Sequence, residues 1–504
     1  MSVYNATFSI ISNFFNIILS FVARTLFIKI LGETLLGVDG LFTNILSILS
    51  FTELGIGTAM NFYLYKPIAD SNDKKIKALM RFYQKAYRII ALIVLTLGIA
   101  IYPFLDLFVR NDGKIENINI YYLVFLFNTV VSYLASYRNA IVNGLQRGYV
   151  LTIFSMAFNV VRISAQIIVL VLAKNYLPYL LCSSFFKLVH MYVVYFYIGK
   201  KYPQYSEKNA DKLDKSELSS IWKDVRALIL HKAGEIMITQ TDNIIISVMV
   251  NVATVGLLSN YNMIVITIIS VISLIINAVI PSLGNLIAKN GKERSYQIFK
   301  SYRLITFFLY GFSSVAMLCL LTPFITLWLG AEYTVSENVV LLVIFNFYMI
   351  GHEAVLQNVK IAAGAFVSDK YIPMLQGIIN VVASIAFAKI FGLIGIYIGT
   401  VIQGAFSAIV RPILLYPVLF KVPVKEHFKD SAKYLAQLFV VTAILIVLRK
   451  IIVLDVNILS FSVYTVLVGI ISAALLLLFN FKSQEFKYVY ESAMRLIFRK
   501  HGAK

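Results

Sequence analysis

Charged residues are scarce in this chain. They make up 14% of its 504 residues, while 59% are hydrophobic and the mean hydropathy is +0.80. A soluble globular chain carries about 25% charged residues, because it must cover a water-facing surface. The shortage excludes a soluble enzyme or a cytosolic binding module. The hydrophobic runs are long enough for membrane-spanning helices rather than for barrel strands.

Cysteine is also nearly absent. Both cysteines, Cys182 and Cys319, lie inside hydrophobic runs, which excludes an extracellular disulfide framework. The first hydrophobic run, residues 10–30, has no short core followed by a small-residue cleavage site. We therefore expect a retained helix and not a cleaved signal peptide.

Motifs for catalysis and cofactor binding are missing as well. The sequence contains no G-x-S-x-G nucleophile turn, no G-x-x-x-x-G-K phosphate loop and no Cys/His spacing typical of a metal site. None of the connections predicted to lie outside exceeds roughly a dozen residues, so no extracellular catalytic domain is expected. The sequence predicts that the protein is not an enzyme and that it binds no metal or cofactor.

Hydrophobic segments of spanning length are what the chain has in abundance. Fourteen of them approach or exceed the roughly 20 residues that a membrane helix needs. We therefore predict an all-α polytopic membrane protein with 14 transmembrane helices. The first segment covers 6–30, the second 36–64 and the seventh 226–250. Glu53 and Gly57 interrupt the second segment.

The basic residues predict the orientation. With the N-terminus inside, 32 of the 45 lysines and arginines fall in cytoplasmic connections or the tail, and 7 fall outside. By the positive-inside rule this predicts a multi-pass protein of the bacterial plasma membrane with both termini cytoplasmic. The same bias explains most of the net charge of +20 without a nucleic-acid partner.

Two halves of the sequence resemble each other at an offset of 215–221 residues. Gly37 aligns with Gly256, the motif FLFN at 125–128 with VIFN at 343–346, and Asn159 with Asn380. Six helices per half predict two parallel lobes around a central cleft that opens alternately to each side. The predicted domains are an N-terminal lobe (1–200), a cytoplasmic linker (201–225), a C-terminal lobe (226–420), helices 13–14 (421–481) and a cytoplasmic amphipathic tail (482–504).

Charged and polar residues inside the predicted spans are the candidate site. An unpaired charge at mid-membrane costs about 2.5–3.5 kcal/mol, so most must be paired, hydrated or near an interface. We expect Lys187, Arg138 and Arg411 either to extend to an interface or to line the cleft. The substrate-binding candidates are Arg24, Lys232, Arg138, Arg162 and Asn159.

The acidic residues and one histidine are candidates for ion coupling or for a gate. The repeat places Arg24 at the depth of Asp242, which predicts either a gate or a fixed salt bridge. Glu235 and Asp242 either bind a coupling ion, H⁺ or Na⁺, or only neutralise Lys232 and Arg24. Glu53 precedes two glycines, which predicts a broken helix beside a cavity. The coupling or gate candidates are Asp242, Glu235, His231, Glu53 and Glu353.

Several segments resemble bacterial Wzx-type polysaccharide flippases of the multidrug/oligosaccharidyl-lipid/polysaccharide exporter superfamily. They are LFTNILSILSFTELGIGTAMNFYLYKPIAD at 41–70, YRII at 87–90 and HKAGEIMITQTDNIIIS at 231–247. Arg24 matches an arginine that such proteins carry in the first helix. Lipid II flippases also carry an arginine in helix 8, whereas residues 257–281 contain no lysine or arginine.

The resemblance implies a flippase for an undecaprenyl-pyrophosphate-linked oligosaccharide in surface polysaccharide (capsule) synthesis, with alternating access and a cationic cavity. The partners that it implies are the lipid-linked oligosaccharide, membrane lipids, and two kinds of enzyme of the same route, a polysaccharide polymerase and glycosyltransferases. A teichoic-acid or peptidoglycan precursor flippase is the nearest alternative. A multidrug/cation antiporter is another, and it should have an acidic and aromatic cavity instead of a basic one.

Overall fold

The computed structural model describes residues 2–53, 56–110, 115–205, 211–289, 292–363, 368–420, 422–451 and 457–499. Within these ranges the chain forms seventeen α-helices and no strand, which confirms the predicted all-α fold. The helices are α1 Ser2–Leu49, α2 Ile56–Ala69, α3 Asp73–Ile101, α4 Leu105–Phe108, α5 Ile118–Ser136, α6 Asn139–Gly144, α7 Gly148–Ala173, α8 Tyr176–Lys201, α9 Lys215–Met249, α10 Val252–Lys289, α11 Lys292–Trp328, α12 Glu337–Ala362, α13 Ile372–Phe391, α14 Leu393–Leu419, α15 Lys425–Ile451, α16 Ile458–Asn480 and α17 Gln484–Arg499.

Twelve segments of the described chain are long and apolar enough to cross a membrane. The count is lower than fourteen for two physical reasons. The first two predicted spans form one long helix, α1, so they count once. The seventh lies in α9, whose Lys232, Glu235 and Asp242 make it too polar to count by hydropathy.

Gly32 separates the first two predicted spans inside α1. Its backbone angles, φ 80° and ψ 175°, are non-helical. Essentially only glycine adopts this region without strain, since a Cβ atom would clash with its own backbone. The chain therefore changes direction between the spans predicted at 6–30 and 36–64.

The second span breaks at the place that its sequence predicted. Helix α1 ends at Leu49, a 3₁₀ turn covers Ser50–Glu53, and α2 begins at Ile56. A break of this kind frees backbone groups that a continuous helix would pair internally. Glu53, the last residue of the turn, is half-buried.

The chain divides into two compact units, Met1–Ser259 and Asn260–Lys504. In the first, α1 packs on α7 and α9, α3 on α5, and both α5 and α7 on α8. In the second, α11 contacts α12, α15, α16 and α17, while α13 packs along α14. The finer domain boundaries drawn from the repeat stay a prediction.

The last two spans share the core of the second unit. Phe307 and Val315 of α11 belong to the same buried cluster as Val441 of α15 and Val468 of α16. Burial of these side chains against α11 removes apolar surface from the surroundings and holds the two additional helices in place.

The tail forms the helix that its spacing predicted, and it docks on the start of α11. Lys300 Nζ lies 2.9 Å from Glu485 Oε1, and the Arg294 guanidinium lies 5.2 Å from the Tyr488 ring centroid. Burial alone would raise the pKa of the Glu485 carboxyl, but the hydrogen bond from Lys300 lowers it. This pair therefore stabilises the docked tail above the ordinary pKa of a glutamate and is lost as the pH falls below it.

Two glycines bring the backbones of α1 and α10 into direct contact. A Cβ atom on Gly37 would overlap the carbonyl oxygen of Val252, and one on Gly256 would overlap the carbonyl oxygen of Glu33. These are the two glycines that the repeat aligns. Small residues at helix crossings allow this close approach, which maximises van der Waals contact within a membrane.

We expect Gly37→Ala to destabilise the protein by about 1–3 kcal/mol, because the added methyl group must push the two helices apart. The matched control is Gly40→Ala on the same helix, whose Cβ would lie an ordinary 3.7 Å from Val255 Cγ1. Thermal denaturation of both variants in detergent measures the difference. Equal melting temperatures for the two variants would contradict the crossing.

Candidate functional site

Three cations surround one carboxylate in the first unit. Asp39 interacts electrostatically with Lys187, Arg24 and Arg162, and it accepts a hydrogen bond from the Tyr176 hydroxyl at 3.1 Å. We name Arg24, Asp39, Arg162 and Lys187 the cationic cluster. One negative charge against three positive charges leaves the cluster positive, so it attracts anions.

Neutral groups hold the two arginines of the cationic cluster. Arg24 Nη1 donates to Ser259 Oγ at 2.9 Å. Arg162 donates to Gln166 Oε1 at 2.8 Å and to Asn159 Oδ1 at 2.9 Å. Within the described ranges neither guanidinium has a carboxylate within 4 Å. Both charges therefore remain available to a ligand.

The structure brings together only part of the predicted substrate set. Arg162 donates a hydrogen bond to Asn159 and interacts electrostatically with Asp39, which also interacts with Arg24. Sequence reasoning missed one member of the cationic cluster, Asp39, and left two roles open for another, Lys187. Asp39 is an acid inside the second predicted span, which was the available signal, and Lys187 was expected equally to extend to an interface.

A cavity of about 260 Å³ with several polar side chains in its lining adjoins the cationic cluster through Lys187. Helices α5 to α8 surround it. The Asn128 Oδ1 and His190 Nε2 atoms at this cavity are buried and have no hydrogen-bond partner in the described part of the chain. Its other polar lining residues are Ser132, Ser136, Asn139 and Ser155. Amide and hydroxyl groups of this kind suit a ligand rich in hydroxyl groups.

Arg138, another substrate-binding candidate, contacts Tyr195 of α8. Its guanidinium stacks on the Tyr195 ring at 3.7 Å from the centroid, and Nη1 donates to the Tyr195 carbonyl at 3.3 Å. A cation held against an aromatic face and a backbone carbonyl fastens α6 to α8. The structure therefore favours a packing role for Arg138.

Helix α9 carries three of the predicted residues for coupling. Lys232 donates to Glu235 at 2.6 Å, and the two side chains are 42% and 50% exposed. The contact corresponds to one of the two roles predicted for Glu235, the neutralisation of Lys232. Asp242 is half-buried and has an interaction partner of its own. The His231 side chain lies outside the described parts of the structure.

Arg24 and Asp242 were expected on facing lobes, and the structure instead assigns both to the first unit. The contacts of Arg24 are with Ser259 and Asp39. Asp39 lies on the same helix as Arg24, beyond the turn at Gly32, which brings the two charges back towards each other. Asp39 is therefore a carboxylate whose charge acts on Arg24, and the pairing of Arg24 with Asp242 stays a prediction.

Glu53 lies in a cage of tyrosines at the break between α1 and α2. The Tyr87 hydroxyl donates to Glu53 Oε1 at 2.5 Å, and the Tyr83 hydroxyl donates to the Tyr87 hydroxyl at 3.1 Å. Both rings are buried. The carboxylate is thus stabilised by neutral donors, and these contacts fasten the broken end of the helix to α3.

Glu353 belongs to a buried ionic network in the second unit. Arg411 Nη1 lies 2.8 Å from Glu353 Oε2, and Arg411 Nε lies 3.0 Å from Asp369 Oδ2. Lys360 Nζ also pairs with Asp369, at 2.9 Å. Two bases and two acids balance, so the network offers no net charge to a ligand. Arg411 is 2% exposed, so the expectation that it extends to an interface was wrong.

A family model described as polysaccharide biosynthesis protein matches residues 2–287, which is more than half of the chain. The chain belongs to the polysaccharide biosynthesis protein family. The matched region contains the whole cationic cluster and the cavity that adjoins it. This polysaccharide biosynthesis family member is a multi-pass membrane protein, which agrees with the flippase resemblance found in its sequence.

Solved structures with similar folds include two kinds of transporter. The lipid II flippase MurJ in an inward closed conformation is 17% identical, has a TM-score of 0.68, and the match covers 97% of this chain and 100% of that chain. An inward-facing MATE family multidrug resistance transporter of the MOP superfamily is 15% identical, with a TM-score of 0.60 and coverage of 78% and 92%. The Vibrio cholerae MATE transporter VcmN is 13% identical, with a TM-score of 0.58 and coverage of 84% and 96%. No curated protein matches the sequence.

Proposed function

We propose that this protein is a flippase that moves an undecaprenyl-pyrophosphate-linked oligosaccharide across the bacterial plasma membrane by alternating access, for surface polysaccharide synthesis. The observation that carries the proposal is the positively charged cluster within a membrane-spanning unit. Family membership and the fold shared with a lipid II flippase support it. On this proposal the chain is a transporter and not an enzyme.

The chemistry of the substrate explains why a cationic cluster is needed. A pyrophosphate cannot enter hydrocarbon without losing its hydration, which is prohibitively unfavourable for an unpaired charge. Arg24 and Arg162 would replace that hydration, since guanidinium groups donate paired hydrogen bonds to phosphate oxygens. The single carboxylate of Asp39 leaves two of the three positive charges in the cationic cluster uncompensated, which an anion binding there would correct.

The cavity next to Lys187 is the part of the site that we assign to the glycan. It adjoins the cationic cluster, so a pyrophosphate at the cluster would place the first sugar near it. Its unpartnered Asn128 and His190 atoms would gain hydrogen bonds from sugar hydroxyl groups. The lipid tail would remain in the bilayer.

Two energy sources fit this site. Moving one elementary charge through 100 mV is worth about 2.3 kcal/mol, and an inside-negative potential favours outward movement of an anion. Exchange with H⁺ or Na⁺ would drive the return step, with Asp242 as the coupling residue. Glu235 is less suited, because Lys232 already neutralises it.

We expect Asp242→Asn to change the dependence of transport on pH or on Na⁺, because the amide cannot gain or lose a charge. Glu235→Gln is the matched control on the same helix and should leave that dependence unchanged. Initial transport rates in liposomes between about pH 5 and 8, with and without Na⁺, measure the effect. An unaltered dependence in the Asp242 variant would indicate a fixed structural contact.

The decisive experiment is transport of defined lipid-linked glycans in liposomes that contain the purified protein. We expect outward movement of an undecaprenyl-pyrophosphate oligosaccharide and little movement of a cationic drug. Lipid II and a teichoic-acid precursor test the two nearest alternative cargoes. Transport of cationic drugs but of no lipid-linked glycan would contradict the proposal and favour the antiporter.

A further inference from the structure

A second cavity, in the unit Asn260–Lys504, lies where four helix ends meet. It has a volume of about 490 Å³. Helix α11 ends at Trp328, α12 begins at Glu337, α15 ends at Ile451 and α16 begins at Ile458. Ends of spanning helices lie at the level of the lipid head groups. The deepest lining residue on α11, Leu318, is ten residues from the end of that helix, which corresponds to about 15 Å.

Opposite charges line the mouth of this cavity. Glu337 is the first residue of α12, and Arg449 lies in the last turn of α15. Both side chains are exposed, and they form no salt bridge with each other within 4 Å among the described residues. The cavity therefore offers one acceptor for a cation and one donor for an anion, each still available.

A buried hydroxyl group points to a ligand deeper in the cavity. Tyr464 is 7% exposed and lines the cavity within electrostatic range of Arg449. Its hydroxyl lies beside the thiol of Cys319, which is a weak partner, and has no oxygen or nitrogen partner in the described parts of the chain. A buried hydroxyl without a strong partner costs free energy unless a bound group satisfies it.

The apolar part of the cavity opens towards the bilayer. Leu341 and Ile446 line it and are 50% and 46% exposed on the protein surface. In a membrane protein such exposed side chains contact lipid chains. A ligand in this cavity would thus have a polar head between Glu337 and Arg449 and apolar chains along Leu341 and Ile446.

We infer that this cavity binds a zwitterionic aminophospholipid, with the phosphate at Arg449 and Tyr464 and the primary ammonium at Glu337. The charge pair decides the head group. An anionic lipid would be repelled by Glu337, and a purely cationic ligand would be repelled by Arg449. The exposed apolar rim favours a lipid over a free phosphoethanolamine. The inference is independent of the cationic cluster and of the transported cargo.

Native mass spectrometry of the delipidated full-length protein in detergent tests the site. The probes are phosphatidylethanolamine, phosphatidylglycerol and lipid-free glycerophosphoethanolamine. We expect the wild-type protein to bind phosphatidylethanolamine about tenfold more tightly than either other probe, as expected for charge-assisted hydrogen bonds to both ends of the head group. Arg449→Gln and Glu337→Gln should each remove most of this preference, and Glu337→Gln should strengthen phosphatidylglycerol binding.

The controls keep folding and binding separate. Lys389→Gln removes an exposed cation from the end of α13, outside the cavity, and should bind as the wild-type protein does. Tyr464→Phe keeps the buried ring and should weaken binding without lowering the melting temperature in lipid-free detergent. Equal phosphatidylethanolamine binding by Arg449→Gln, Glu337→Gln and Lys389→Gln would overturn the inference. Equal binding of phosphatidylglycerol, or of the lipid-free head group, by the wild-type protein would overturn it as well.

Discussion

Arg24→Ala should reduce transport of the lipid-linked oligosaccharide by about 30-fold to 150-fold, because a lost hydrogen bond to a charged group costs about 2–3 kcal/mol. In cells this corresponds to loss of surface polysaccharide at unchanged protein abundance. Arg24→Lys should keep part of the activity, since lysine retains the charge but not the paired donors of a guanidinium. Rates in liposomes and surface polysaccharide in cells provide the two measurements.

Lys29→Ala is the matched control for this experiment. Lys29 is a cation on the same helix, five residues further along, and its side chain is exposed. It should transport at the wild-type rate. Wild-type transport by a folded Arg24→Ala protein would remove the cationic cluster from the mechanism. A low melting temperature for Arg24→Ala would instead reveal a structural role, so both variants need a thermal denaturation curve in detergent.

Arg411→Ala should destabilise the second unit by about 3–5 kcal/mol, because it leaves buried acids without their partner. Asp369 is 3% exposed and would keep only Lys360, while Glu353 would keep its hydrogen bond from Gln376. Chemical denaturation in detergent, followed by circular dichroism, measures the change. The surface variant Lys389→Ala should unfold like the wild-type protein.

A second substitution distinguishes two causes of a lower stability in Arg411→Ala, which are unpaired buried charge and the cavity left by the arginine side chain. If unpaired charge is the cause, Glu353→Gln introduced together with Arg411→Ala should recover part of the stability, because it removes one of the stranded charges. If the cavity left by the arginine side chain is the cause, the double variant should be no more stable than Arg411→Ala. If Arg411→Ala lowered the free energy of unfolding by less than about 1 kcal/mol, this would contradict a stabilising role for the ionic network.

Local features of the helices could be predicted from the sequence because they depend on near neighbours. Hydrophobic run length predicted the spans, and the polar residues of α9 account for the one that hydropathy misses. The turn at Gly32 follows from the conformational freedom of glycine, whose φ is 80° there. The pairing of Asn159 with Arg162 follows from helical spacing alone.

The partners of buried charges could not be predicted in the same way. Arg24 interacts electrostatically with Asp39 and donates a hydrogen bond to Ser259, and Glu353 pairs with Arg411. Asp39 and Lys187 had no sequence pattern that joins them to Arg24, because the turn at Gly32 brings Asp39 back and the packing of α8 brings Lys187 close.

The sequence by itself determined that this protein is an all-helical membrane protein, since the length and hydropathy of each segment are properties of that segment alone. Only the tertiary structure decided which buried charges are neutralised and which remain open to a ligand. The physical reason is that a charge in a low-dielectric environment interacts with whatever helix packing brings within a few ångströms, and that distance is unrelated to separation along the chain.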